Sequence, residues 1–110
     1  MTGDSVFRVT VRGRFVDLSP DARASLAREV DHHDIFKSAF TPEGTFTYDD
    51  KILFFNLRYE IRTGDGEEAA CTTGRREAEL FLRTLGYGHS DLKVTAANTS
   101  EIWREHPSTG

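Results

Sequence analysis

Leu53-Phe54-Phe55-Asn56-Leu57-Arg58-Tyr59-Glu60-Ile61-Arg62 is the strongest strand signal in the chain. Leu53, Phe55, Leu57, Tyr59 and Ile61 fall on one side, and Phe54, Asn56, Arg58, Glu60 and Arg62 on the other. A period of two describes a strand with one face in a core and one in water. Working back from it, Asp49-Asp50-Lys51 is a tight polar link to a short strand, Thr45 to Tyr48, so the two read as a hairpin. Thr41-Pro42-Glu43-Gly44 before it is a turn, since proline presets one backbone angle and glycine accepts the positive one.

The same alternation recurs near the start of the chain. Phe7, Val9, Val11, Gly13 and Phe15 interleave with Arg8, Thr10, Arg12 and Arg14, and Gly13 marks a bulge or the close approach of another backbone. Ser19-Pro20 opens a helix as N-cap and first helical residue, with Asp21 suited to the positive end of the dipole. Ala22, Leu26, Val30 and His33 give that helix a modest apolar stripe from about Pro20 to His32. Ile35, Phe36, Ala39 and Phe40 read equally as a second short helix or an irregular apolar connection. Beyond the central strand, a loop from Thr63 to Glu68 leads into a helix. Ala70, Gly74, Ala78, Phe81, Leu82 and Leu85 lie on one side of it, and Gly86 is its C-cap. Leu92, Val94 and Ala96 form a last strand. Asn98 to Arg104 suggests a final turn that tucks in Ile102 and Trp103.

The order is strand, helix, strand, strand, helix, strand. One apolar face per strand and one stripe per helix are buried together most simply in an α+β two-layer sandwich: a ferredoxin-like βαββαβ arrangement, with a four-stranded antiparallel sheet and both helices on one face. The chain has 110 residues, near the commonest size of one domain, so residues 1–105 are expected to form a single unit and residues 106–110 a tail. Hydrophobic residues at 37% and charged residues at 29% fit a folded globule. A single cysteine, Cys71, excludes an intramolecular disulfide and a cysteine zinc site, and it fits a reducing, cytoplasmic compartment. No apolar run reaches the ~20 residues needed to span a bilayer, and the first residues lack a signal-peptide pattern. A net charge of −4 gives no global attraction for nucleic acid or anionic lipid.

Several segments resemble an uncharacterised family of small actinobacterial proteins. They are Val11-Arg12-Gly13-Arg14-Phe15, Glu29-Val30-Asp31-His32-His33-Asp34, Ala39-Phe40-Thr41-Pro42-Glu43-Gly44-Thr45-Phe46-Thr47-Tyr48-Asp49, the pair Phe54-Phe55 and Gly86-Tyr87-Gly88-His89. Phe-Thr-Pro-Glu-Gly is the most specific of these. The resemblance implies a small bacterial protein of unknown function and carries no reaction, cofactor or active residue with it.

Strand phase puts Arg8, Arg12, Arg14, Asn56, Arg58, Glu60 and Arg62, with Lys93, on the sheet face that the helices leave open. Clustered guanidiniums can grip phosphate or carboxylate bidentately. The bland reading is a solvated face of cross-strand charge pairs. His32 and His33 are adjacent, so on a continuing helix they point about 100° apart and do not chelate one ion together. Either could act as a general base oriented by Asp31 or Asp34, or simply complement the helix end. Tyr48, Asp49 and Asp50 lie at the hairpin, where turn chemistry competes with a catalytic or cation-binding role. Cys71 sits where a helix dipole would lower a thiol pKa, but a lone cysteine is more often a small core residue. No metal or cofactor is indicated.

The link Val16-Asp17-Leu18-Ser19-Pro20 holds no glycine-rich phosphate cradle, there is no Gly-x-Ser-x-Gly elbow, and Phe54 is the lone aromatic at an RNA-stacking position. Whether the chain is an enzyme stays open. The leading expectation is an accessory module that uses the open face to bind an anionic small molecule or a partner protein, with a homodimer in view. The alternative is a small cofactor-free enzyme of the dimeric α+β barrel type (cyclase, isomerase or oxygenase), with His32 or His33 as base and Tyr48 or Arg58 as orienting groups. Nucleic-acid binding comes last.

Overall fold

A computed structural model describes residues 4–29 and 39–99. In chain order the elements are β1 (Ser5–Phe15), α1 (Pro20–Arg28), β2 (Thr45–Tyr48), β3 (Phe54–Thr63), α2 (Glu67–Leu85) and β4 (His89–Asn98). The strands form one open sheet in the order β2-β3-β1-β4, with every neighbouring pair antiparallel. The protein is therefore α+β, as the alternating strands and striped helices predict.

Register fixes which side chains share a face. Val9 lies between Tyr59 and Ala96, and Val11 between Leu57 and Val94. Phe46 and Tyr48 of β2 face Leu57 and Phe55. These residues join Phe7, Phe15 and Ile52, together with Leu26 of α1 and Ala70, Ala78 and Leu82 of α2, in one buried cluster. Both helices thus close over the same apolar side. Each fully buried large side chain contributes about 1.5–3 kcal/mol. Phe15 anchors one end of the cluster, edge-on to Phe46, Tyr48 and Tyr87 at centroid distances of 6.3, 6.0 and 6.2 Å, a preferred geometry for aromatic quadrupoles.

Close packing depends on two glycines. A Cβ on Gly74 would lie 2.6 Å from Val9 Cγ1, so the missing side chain lets α2 settle onto β1. Gly44 has φ +95°, and a Cβ there would meet Tyr59 Cε1 at 2.3 Å. Thr41 completes that turn, accepting from the Gly44 N–H at Oγ1, and its carbonyl accepts the Glu60 N–H at 2.8 Å.

The structure corrects three boundaries and the facing of Leu85. Ser19 caps α1 through its Oγ, which accepts from Ala22 N at 3.0 Å, but the helix ends at Arg28 with Glu29 as C-cap. Of the described residues of its stripe, Leu26 is buried and Ala22 is not, and the Leu26 carbonyl accepts both the Glu29 N–H and the Tyr48 hydroxyl. Leu53 is 48% exposed rather than inward, because β3 starts at Phe54 and Ile52 takes the core position. Ile52 does so in the left-handed conformation, φ 57°, a strained geometry for a β-branched residue. Leu85 is likewise 47% exposed at the end of α2. The last strand begins at His89, earlier than its apolar residues suggest. Its pairing with β1 shifts register between Arg12 and Arg14, at the expected Gly13 irregularity. Asp91, at φ 57°, lies within that shift. Among the described residues, no helix is long and apolar enough to cross a membrane.

Candidate functional site

The alternate residues of β1, β3 and β4 lie on the face opposite the helices, and register sorts them into three zones. At one end Arg8 pairs with Glu60 across the strands, and its guanidinium sits 5.6 Å from the centre of the Phe40 ring. Arg8 is thus engaged by an aromatic face, with a carboxylate residue opposite it in register. At the other end Arg14 lies 4.0 Å from Asp91 and 5.9 Å from the Phe54 ring centre.

The middle zone differs. Arg12 lies between Asn56 and Lys93, and Thr10 between Arg58 and Thr95. Arg12 and Lys93 are direct cross-strand neighbours, whose Cβ atoms stand about 5 Å apart in such pairs, and like charges there repel. Arg12 Nε donates to Asn56 Oδ1 at 3.2 Å, and Arg58 Nη1 donates to Thr47 Oγ1 at 3.1 Å. These neutral acceptors orient the guanidiniums without neutralising them. Among the described residues, no carboxylate makes an ion pair with Arg12, Arg58 or Lys93; the described ion pairs are Arg14 with Asp91 and Arg75 with Glu79. Burial, and secondarily the charge of Arg12, hold the Arg58 guanidinium below its ordinary pKa. Thr10, Arg12, Arg58, Lys93 and Thr95 line a depression of about 310 Å³. Beside it lies a groove of about 570 Å³ lined by Arg12, Gly13, Arg14, Phe54, Asp91, Leu92 and Lys93.

Of the residues singled out in the sequence, Arg12, Asn56 and Arg58 come together, with Arg14 one step along the groove, while Arg8 is engaged elsewhere. Alternation alone cannot show the juxtaposition of Thr10, Lys93 and Thr95, which requires the β1–β4 register. Thr47 is only 2% exposed although it faces the open side, because Arg58 lies against it.

The remaining candidates take structural positions or fall outside the described residues. Tyr48 is buried in the core, and its hydroxyl donates to the Leu26 carbonyl. Burial first, then Tyr87 and Glu29, raise its pKa to about 12. Asp49 Oδ1 accepts from the Leu53 and Phe54 N–H groups at 2.9 and 2.8 Å, which is turn chemistry. Burial first, then Glu67 and Glu68, push the Cys71 thiol up, the opposite of an activated thiol. His89 Nδ1 lies 3.1 Å from the Tyr87 carbonyl oxygen, and its ring stands edge-on to Phe55. His32, His33 and Trp103 lie outside the described residues. No group of His, Cys, Asp and Glu side chains among the described residues is placed to hold a metal ion.

The arrangement is suited to hold an anion: three cations converge with hydroxyls beside them, and among the described residues none of the three is ion-paired to a carboxylate, Asp91 being paired with Arg14. No curated protein and no solved structure matches the chain. A family model does, over residues 1–108, and the chain belongs to that family, DUF6204, a family of unknown function.

Proposed function

We propose that this protein is a small accessory module that binds an anionic small molecule on its open sheet face. Arg12, Arg58 and Lys93 would act as the gripping cations, with Thr10 and Thr95 as hydroxyl donors. The observation that carries this reading is the convergence of Arg12, Arg58 and Lys93 around one depression, without a described carboxylate partner. Self-repelling, partly desolvated cations weaken the empty fold, and an oxyanion between them removes that penalty. The ferredoxin-like arrangement is part of the proposal: the element sequence βαββαβ and the antiparallel order β2-β3-β1-β4 support it. Its setting would be a reducing bacterial cytoplasm, in keeping with a lone, half-buried thiol.

A dimeric barrel enzyme would press two such faces together, setting cations against cations. Nucleic-acid binding would need a basic surface overall, and the chain is acidic, at −4. The binding reading is therefore preferred to both.

Thermal unfolding in inorganic phosphate against chloride, at matched ionic strength, tests it. Phosphate at ten times its Kd adds about 1.4 kcal/mol to the stability of the folded state, roughly 5 °C in Tm for a domain of this size. The Arg12→Ala, Arg58→Ala double variant should lose that increment while keeping the small general stabilisation that excluded salts give any protein. Equal phosphate stabilisation of both proteins would remove the arginine face from this role.

A further inference from the structure

We infer that the ligand is amphipathic, an oxyanion joined to a flat apolar body, with its charged end among Arg12, Arg58 and Lys93 and its apolar end on Phe54 and Leu92. This inference rests on the anion-binding reading and adds the chemistry of the rest of the molecule.

The depression and the groove adjoin, with Arg12 and Lys93 lining both, so one ligand can lie across them. The two ends differ in character. The Thr10 end carries Arg58 and two threonines, whereas the far end has the exposed Phe54 ring, with Arg14 beside it, and Leu92, which also packs against the core. Asp91 lies 4.0 Å from Arg14 and lines this far end, where its carboxylate repels a second anion. Charge therefore dictates orientation, with the anionic head away from Asp91 and the apolar body toward it. From the Thr10–Arg58 pair to the Arg14–Phe54 pair is four residues along β1. At the rise of a strand that is about 13 Å, room for an oxyanion followed by two fused rings.

Local strain points to the same end. Ile52, at φ 57° and only 5% exposed, is buried while Phe54, two residues later, is 49% exposed. Asp49 fixes the intervening turn through the Leu53 and Phe54 amides. Asp91, also at φ 57°, turns the β4 end of the groove. Left-handed, non-glycine residues persist where the surroundings over-determine them, and they collect at sites of function. Of the three such described residues, Asp91 lines the groove and Ile52 lies two residues before Phe54, so an aromatic face is held out of the core beside cations, while Asp17 lies elsewhere.

Titration calorimetry with inorganic phosphate, 2-naphthol and 2-naphthyl phosphate tests this. The naphthyl ester should bind at least tenfold more tightly than phosphate. Phe54→Ala should erase most of that margin and Phe54→Trp should keep it, with the melting temperature of each variant showing that the sheet is intact. Equal affinities for phosphate and its naphthyl ester, or a margin untouched in Phe54→Ala, would overturn the inference and leave the anion site standing. Failure of phosphate and ester alike would overturn both. Tighter binding of 2-naphthol than of the ester would also overturn it, because the charged head would then contribute nothing.

Discussion

On β3, Phe55, Leu57 and Tyr59 lie inside the core, while Asn56 and Arg58 between them are half-buried on the opposite side. The core face is satisfied from within: aromatic rings meet edge-on, Gly74 admits α2 onto β1, and the Tyr48 hydroxyl ends on a helix carbonyl. The open face is not. Arg12, Arg58 and Lys93 share a depression with hydroxyls and an amide but without a described counter-ion. The difference separates two jobs within a single strand. One set of side chains makes the fold, and the other is held in an arrangement that becomes favourable when something outside the chain is added.

Substitutions should respect that division, and the largest effect belongs to the core face. Phe55→Ala empties a fully buried ring site and should cost about 3–5 kcal/mol in urea unfolding. A loss under about 1 kcal/mol would mean that the ring is not packed as described. Gly74→Ala sharpens the point, because two effects compete. Helix propensity favours alanine by about 1 kcal/mol, but a methyl 2.6 Å from Val9 Cγ1 overpacks by about 1–3 kcal/mol. A net loss is expected, and a gain would contradict the close approach of α2 to β1.

Tyr48 gives a smaller effect with a pH signature. Tyr48→Phe should cost about 1 kcal/mol, the worth of its hydroxyl bond to the Leu26 carbonyl. Tyr48 and Tyr59 both have pKa values raised from 10.0 to about 12, chiefly by burial. The folded state thus holds more protons than the unfolded one in this range. The resulting stabilisation is complete below pH 10 and is lost as pH rises toward 12. Denaturation curves across that window should fall steeply for the parent protein and less steeply for Tyr48→Phe; parallel curves would contradict the placement of Tyr48.

The smallest expected effect on stability comes from the open face. Arg58→Met removes a charge beside Arg12 but also the Nη1 donor to the buried Thr47 hydroxyl, so the two effects oppose and stability should change by less than about 1 kcal/mol. Phosphate-dependent stabilisation should disappear in the same variant. A loss of stability as large as that of Tyr48→Phe would place Arg58 with the fold-making residues.

Much of this division is legible in residue order. The alternation of Phe7 to Phe15 and of Phe55 to Ile61 separates the two faces, and Ser19-Pro20 marks where α1 begins. What stays hidden depends on tertiary geometry. A left-handed isoleucine runs against local preference, so Leu53 reads as the core residue although Ile52 takes that place. Phe40 reads as part of an apolar connection and instead meets Arg8. The site itself is half legible. Arg12 and Arg58 follow from strand phase and Gly13 marks the irregularity beside them, but their grouping with Lys93, Thr10 and Thr95 follows from pairing across the sheet, which no periodicity along one strand encodes. Phe54 is legible as an outward residue, whereas its place in a cationic groove is not.

Amide chemical-shift mapping during a titration with inorganic phosphate is the most direct test of the anion site. Saturable shifts concentrated at Thr10, Arg12, Arg58, Lys93 and Thr95, and lost in the Arg12→Ala, Arg58→Ala variant, are the expected result. Shifts that gather elsewhere, or that grow without saturating and persist in the variant, would contradict it.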